Sequence, residues 1–277
     1  MKSKISPISI ALAALVTFML VQAAGAETLS LQQLPKKTGV ALHDGKSQQL
    51  HAATEKGLYV SRDEGRTWSI SYPYRLPATM IASTPDGSLY AFVAGKGLLR
   101  LRGNETLWTP VGNTLGAQVL TQLSGSARDP DQLLGMNQFG RILLSEDGGK
   151  SWHRLPSDYK PLSEAGKRGK KLFAAKCQSC HGVDGVGETY TTQSLTDRNY
   201  ISAPALDDSA HAWHHTDDAL VKTILDGSPR TEKMRAWRKE GLTESDARDL
   251  VAYIKSLWGQ RALDCQGPKH MRCPKVP

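Results

Sequence analysis

The sequence predicts a multidomain chain in which an N-terminal all-β module of about three repeats is followed by an all-α domain. Three observations carry this. One eight-residue turn pattern occurs twice in the first half, with tryptophans spaced 40 and 44 residues apart. In the second half apolar residues recur at helical spacing between helix start and stop signals. A Cys-x-x-Cys-His run, Cys177 to His181, opens the helical part. The chain has 277 residues, enough for one or two domains. At 39% hydrophobic and 22% charged it is neither disordered, collagen-like nor a polytopic membrane protein.

At the N-terminus, Lys2 and Lys4 precede an apolar run from Ile5 to Val21, and Ala24-Gly25-Ala26 precedes Glu27. These are the charged, apolar and small-residue parts of a secretory signal, so residues 1–26 are expected to be cleaved after Ala26 and the protein to be periplasmic. The run from Ile5 to Val21 is broken by Pro7 and is barely long enough to span a bilayer. An uncleaved anchor is the alternative, and the only route to the membrane. The 35 Lys plus Arg against 27 Asp plus Glu give a formal charge of +8, or +6 without the leader. A modest basic excess spread along the chain is weak support for an acidic partner and argues against nucleic acid.

Residues 27–156 read as β structure. Ser61-Arg62-Asp63-Glu64-Gly65-Arg66-Thr67-Trp68 and Ser145-Glu146-Asp147-Gly148-Gly149-Lys150-Ser151-Trp152 share one pattern, and each follows a short apolar stretch, which places the motif in a hairpin turn. The aspartate can bond the turn backbone, glycine supplies a positive φ, and tryptophan opens the next strand with a large apolar face. A degenerate copy runs from Leu98 to Trp108. These turns resemble Asp-box repeats, which lie on the outer hairpins of β-propeller blades in sialidase-like and photosystem-assembly proteins. The tryptophan spacing is the length of a four-stranded blade. There is room for about three blades, fewer than a usual propeller, so the resemblance implies a partial propeller that stays open, dimerises, or lays its free edge on the second domain. Asp-boxes are structural, so glycoside hydrolysis is not inferred from them. Docking of a partner is the more economical role. Residues 157–163, with Pro161, read as a linker.

In an exported chain each cysteine is expected to be paired or covalently used. Cys177-Gln178-Ser179-Cys180-His181 has the spacing of covalent haem attachment: two thiols one helical turn apart add across the haem vinyl groups, and the adjacent imidazole faces the iron. A zinc site would need a second ligand pair at suitable spacing, and a redox dithiol a βαβ setting. Neither is present, so one covalently bound haem c is expected. Around the motif, Gly169 and Phe173 lie four apart. Thr216 caps a helix carrying Leu220, Val221, Ile224 and Leu225 and ending at Gly227. Thr243 and Asp246 form a capping box before Ala247, Leu250, Val251, Ile254, Leu257 and Trp258.

From Ser163 to Trp258 these features resemble the small monohaem c-type cytochromes, and residues 164–260 are assigned to an all-α cytochrome c domain. The resemblance implies that Gly169 and Phe173 pack against the last helix, that His181 and Met234 are the axial ligands of the iron, and that the carbonyl of Pro204 holds the His181 ring. Arg235 stands where the family often has proline. Rival distal ligands are His211, His214 and His215, or an open position. Trp213 and Trp237 can hydrogen-bond haem propionates or serve as wall residues. Lys167, Arg168, Lys170 and Lys171 either steer an acidic redox partner or form a solvated helix face. In the tail, residues 261–277, Cys265 and Cys273 are expected to form a disulfide. The alternative is a soft-metal site with His270 and Met271.

The functional expectation is a one-electron carrier rather than an enzyme, serving a redox partner protein. The alternatives are a haem-containing assembly or redox-sensor protein, and a catalytic haem with an open distal site.

Overall fold

The computed structural model describes residues 28–44, 48–103, 105–112 and 114–273. The expected leader lies outside them. No helix among the described residues is long and apolar enough to cross a membrane.

The N-terminal part holds three four-stranded antiparallel sheets, each in chain order. The first contains β1 (Lys37–Asp44), β2 (Gln48–Thr54), β3 (Gly57–Ser61) and β4 (Ser69–Ile70). The second contains β5 (Ala78–Ser83), β6 (Leu89–Val93), β7 (Gly97–Leu101) and β8 (Thr109–Pro110). The third contains β9 (Leu120–Gly125), β10 (Leu133–Asn137), β11 (Ile142–Ser145) and β12 (His153–Arg154). Strand β5 packs between β1 and β9, so the sheets are arranged as successive blades. Leu58, Leu89, Leu99 and Trp108 fill the first gap between blades. Tyr90, Leu98, Leu133, Leu143 and Trp152 fill the second.

A repeated threonine stitches neighbouring blades. Thr38 Oγ1 donates to Ala78 O and Thr79 Oγ1 to Leu120 O, both at 2.6 Å. The next threonine in the series, Thr121, turns back to Met136 O of its own blade at 3.1 Å, since no fourth blade follows among the described residues. The two Asp-box turns are built alike. Asp63 Oδ1 accepts from Thr67 N and Asp147 Oδ1 from Ser151 N, each at 2.9 Å. Each tryptophan Nε1 donates at 3.0 Å to the carbonyl of the motif glycine, Gly65 or Gly149, whose φ values are +86° and +91°. Those angles lie where only glycine is unstrained. Hydrogen bonds from Thr67, then Ser61, hold the Asp63 carboxyl at about 2. In the degenerate middle copy the glycine is missing, and Trp108 Nε1 reaches Ser71 Oγ instead, at 2.9 Å.

The helical part comprises α1 (Glu164–Lys176), α2 (Gln178–His181), α3 (Thr192–Thr196), α4 (Asp217–Asp226), α5 (Glu244–Ser256) and α6 (Gln260–Asp264). The caps are those read from sequence: Thr216 accepts from Ala219 N, and Thr243 with Asp246 forms a reciprocal box. Helices α1 and α5 cross at Gly169, where an added Cβ would lie 1.9 Å from Asp249 O. Beside that contact Phe173 and Tyr253 pack with ring centroids 5.1 Å apart, and Arg168 holds Asp249 through two bonds of 2.6 and 2.8 Å.

Between the first two blades His43 and His51 are buried, and His51 Nδ1, His51 Nε2 and His43 Nε2 have no hydrogen-bond partner among the described residues. Burial first, then His43 and Arg62, lower the His51 pKa to about 4. Between there and the ordinary value of 6.5 the unfolded chain binds more protons than the folded one, so stability is complete above about pH 6.5 and is lost as pH falls towards 4. The thermal midpoint of the β module should therefore fall from pH 7 to pH 4.5, and His51→Leu should flatten that slope; a level wild-type profile would count against this. At the helix crossing, Gly169→Ala should destabilise the helical part by about 1–3 kcal/mol or more through a backbone clash. Gly166→Ala, whose Cβ meets nothing closer than 3.4 Å, should leave the thermal midpoint unchanged or raised.

Candidate functional site

Helix α1 ends at Cys177, whose N–H still bonds Phe173 O at 2.8 Å, and α2 continues directly with His181 N on Cys177 O at 2.9 Å. The α1–α5 crossing thus fixes where the pentapeptide begins. Cys177 is half-buried and Cys180 exposed, and both are unpaired. Burial, then the neighbouring Cys180, pushes the Cys177 thiol up to about 11. A dithiol that exchanges disulfides needs a lowered thiol pKa, so the setting is the reverse of a redox pair.

His181 is buried, and burial lowers its pKa, opposed by Pro204 and Glu188. Its Nδ1 lies 2.8 Å from Pro204 O. A carbonyl only accepts, so Nδ1 carries the proton and Nε2 keeps its lone pair. Two loops hold this arrangement. Gly187 N donates to His181 O at 2.7 Å, Leu206 N to Gly185 O at 2.7 Å, and Glu188 N to Ala203 O at 2.9 Å. The Glu188 carboxylate closes the pairing by accepting from Ala203 N at 2.8 Å and from the Tyr200 hydroxyl.

Cys177, Leu206, Trp213, Leu220, Met234 and Trp237 are all half-buried, packed on the edge of the core formed by α1, α4 and α5. Apolar side chains with one side on a core and the other uncovered, beside two free thiols and a neutral imidazole, fit a flat apolar group bearing a metal. Met234 lies between α4 and the turn Trp237–Glu240, its carbonyl accepting from Ser228 N at 3.0 Å. Lys176 Nζ and the Arg235 guanidinium each lie 5.4 Å from the Trp237 ring centroid, which ties the methionine loop to the end of α1.

His211 and His215 are exposed, and His214 stacks on His270 with centroids 4.4 Å apart and planes 5° apart. That stack commits His214 to the C-terminal tail. Cys265 and Cys273 are bonded, and Met271 is 80% exposed, so the soft-metal reading of the tail loses its thiols. No group of three or more His, Cys, Asp or Glu able to hold a metal ion occurs among the described residues. Of the four basic residues that precede Phe173 on α1, Arg168 is paired with Asp249 and Lys167 with Glu164, while Lys170 and Lys171 are exposed.

Sequence reasoning missed the contacts from the β module: Arg141 and Arg154 both bond Asp207, and Ala117 N donates to Val186 O at 3.0 Å. A small signal existed in Gly182, Gly185 and Gly187, whose spacing marks a tightly packed loop.

Residues 164–254 match the family of cytochrome c oxidase, cbb3-type, subunit III. The chain is 30% identical over 169 residues to the cbb3-type cytochrome c oxidase subunit FixP of Azorhizobium caulinodans, covering 59% of this chain and 52% of that protein. It thus spans about half the length of that curated relative. Among solved structures it is similar to YCF48 bound to a D1 peptide, at 19% identity and a TM-score of 0.36, covering 44% of this chain and 40% of the other. It is also similar to YCF48 from Cyanidioschyzon merolae, at 17% identity and a TM-score of 0.34, covering 46% and 44%. With the pentapeptide on α2, the α1–α5 crossing and the family match in one stretch, residues 164–254 are a c-type cytochrome domain, carried behind three propeller-like β blades.

Proposed function

We propose that this chain is an exported single-haem electron carrier that passes one electron at a time between protein partners, with Cys177 and Cys180 attaching the haem covalently. The observation that carries this is the state of His181: Nδ1 is fixed on the Pro204 carbonyl, which leaves Nε2 as a lone pair, one turn from two unpaired thiols. A haem held there supplies reversible one-electron exchange between Fe(III) and Fe(II). Cys177 and Cys180 would keep it from dissociating, and His181, oriented by its bond to Pro204, would hold the iron. Met234 offers a thioether as the second ligand, and sulfur from methionine favours the ferrous state. Trp237, on the turn after Met234 and beside Lys176, would wall the pocket, whereas Trp213 packs against His214, His270 and Arg261 next to the C-terminal tail. With His181 and Met234 both to hold the iron, no substrate would need to bind the metal, which favours carriage of electrons over catalysis. The relative named above is an oxidase subunit, so we assign the partners to redox proteins of a respiratory chain, met in the periplasm after cleavage at residue 26.

Expressed with its leader in a host that matures haem proteins, the wild type should keep its pigment through acid-acetone extraction. Cys177→Ser combined with Cys180→Ser should release it. Colourless wild-type protein, with no Soret absorption, ends this reading. Met234→Ala should abolish the weak far-red charge-transfer band of the oxidised protein and admit carbon monoxide to the reduced one, with the haem still attached; an unaltered spectrum would move the distal ligand to another residue.

A further inference from the structure

The loop that supplies Pro204 has little regular structure of its own, with only the short α3 between Glu188 and Ala212. Trp258 Nε1 donates to Leu206 O at 2.8 Å and Gly259 N to Asp208 Oδ2 at 2.9 Å, and further anchors come from the β module. Asp207, three residues past Pro204, is fully buried. Its Oδ2 accepts from Arg141 Nη1 at 2.6 Å and from Arg154 Nη2 at 3.0 Å. Its Oδ1 accepts from the amide and hydroxyl of Ser209. Arg141 also bonds Asp208, and Arg154 Nη1 donates to Leu257 O at 2.9 Å, where α5 ends. One guanidinium thus ties the Pro204 loop to the helix that α1 crosses.

The second anchor is backbone on backbone. Gly116 has a φ of +57°, and a Cβ there would lie 2.5 Å from both Gly187 O and Val186 Cγ2. Next to it Ala117 N donates to Val186 O. Gly187 is equally confined, since its own Cβ would meet Ala205 N at 2.8 Å and Ala117 Cβ at 3.1 Å. Segments 116–117, 185–188 and 203–206 are therefore layered without spare room, and the last two carry the groups that bond the His181 carbonyl and the His181 ring.

We infer that the β module is a working wall of the haem pocket: Arg141 and Arg154 through Asp207, and Gly116 through Gly187, are positioning residues that hold Pro204 O on His181 Nδ1 and so set the reduction potential. This rests on the proposed role of His181 as an axial ligand. The physical link is the hydrogen bond itself. A short Nδ1–H···O=C bond pushes electron density onto the ring and makes Nε2 a stronger donor, which favours Fe(III). A loosened loop lengthens that bond and shifts the couple towards Fe(II).

The test uses the full-length, haem-loaded protein and its midpoint potential. Arg154→Lys keeps the charge but lacks the planar fork needed to bridge Asp207 and Leu257 O. Gly116→Ala changes no charge and wedges the Gly187 loop. Each should move the Fe(III)/Fe(II) equilibrium about three- to tenfold towards Fe(II), tenfold being about 59 mV for one electron. Asp63→Ala, in the Asp-box turn of the first blade, should lower the thermal midpoint and leave the potential in place. Variants that retain haem with a wild-type potential overturn the inference, as does a potential that moves equally in Asp63→Ala. Amide hydrogen exchange on the wild type gives a reading that needs no variant. The Gly187 and Leu206 amides should exchange as slowly as those of α5, and exchange at the rate of open loops overturns the inference too. Absence of covalent haem in the wild type would instead defeat the electron-carrier reading, and the two failures are told apart by colour alone.

Discussion

An imidazole has two nitrogens, and this chain commits one of His181 to a carbonyl so that the other is left as a lone pair. That 2.8 Å bond to Pro204 is the constraint on which the remaining architecture depends. It needs α2 to present the ring and a loop 23 residues on to present the oxygen. The ring is placed by α1, through a helix crossing so close that only glycine fits at position 169. The carbonyl is placed by loop-to-loop amide bonds and by side chains that come from outside the helical part. Burial acts in the same direction, since it disfavours the imidazolium, which could not donate a lone pair.

The β module follows a different logic, one of repetition. Each blade buries one face on the next, and a threonine in the first strand stitches it to the carbonyl that opens the following blade. The series stops at Thr121. A closed propeller would hand the third blade to a fourth; here the turn between β10 and β11 carries Arg141 and the last strand Arg154, and both go to Asp207. Through these two arginines the third blade contacts the helical part.

Much of this was legible in the sequence, and the reasons are local. Thr243 and Asp246 announce a helix start because the capping bonds span three residues, and the Asp-box turns announce themselves because aspartate, glycine and tryptophan act within one hairpin. Gly169 and Phe173 could be placed on the last helix by resemblance, and the crossing is there. The Arg141 and Arg154 bonds were not legible, since their acceptor lies 66 and 53 residues away with no periodicity to connect them. The pairing of His214 with His270 was hidden for the same reason. The buried His43 and His51 look like ordinary strand residues until the blades are stacked.

Why an ion pair should join the two parts is itself instructive. Asp207 has no exposed surface, and taking a carboxylate and two guanidinium groups out of water costs about as much as their attraction returns, so the cluster is poor adhesive. Apolar residues would hold the parts together as well, but they would tolerate sliding. A carboxylate with every lone pair directed at a fixed donor does not, because any shift leaves a buried charge unpaired. The arrangement therefore contributes register more than strength, and register is what the hydrogen bond between the His181 ring and the Pro204 carbonyl requires. Three blades too few to close a ring are enough to hold one carbonyl in place.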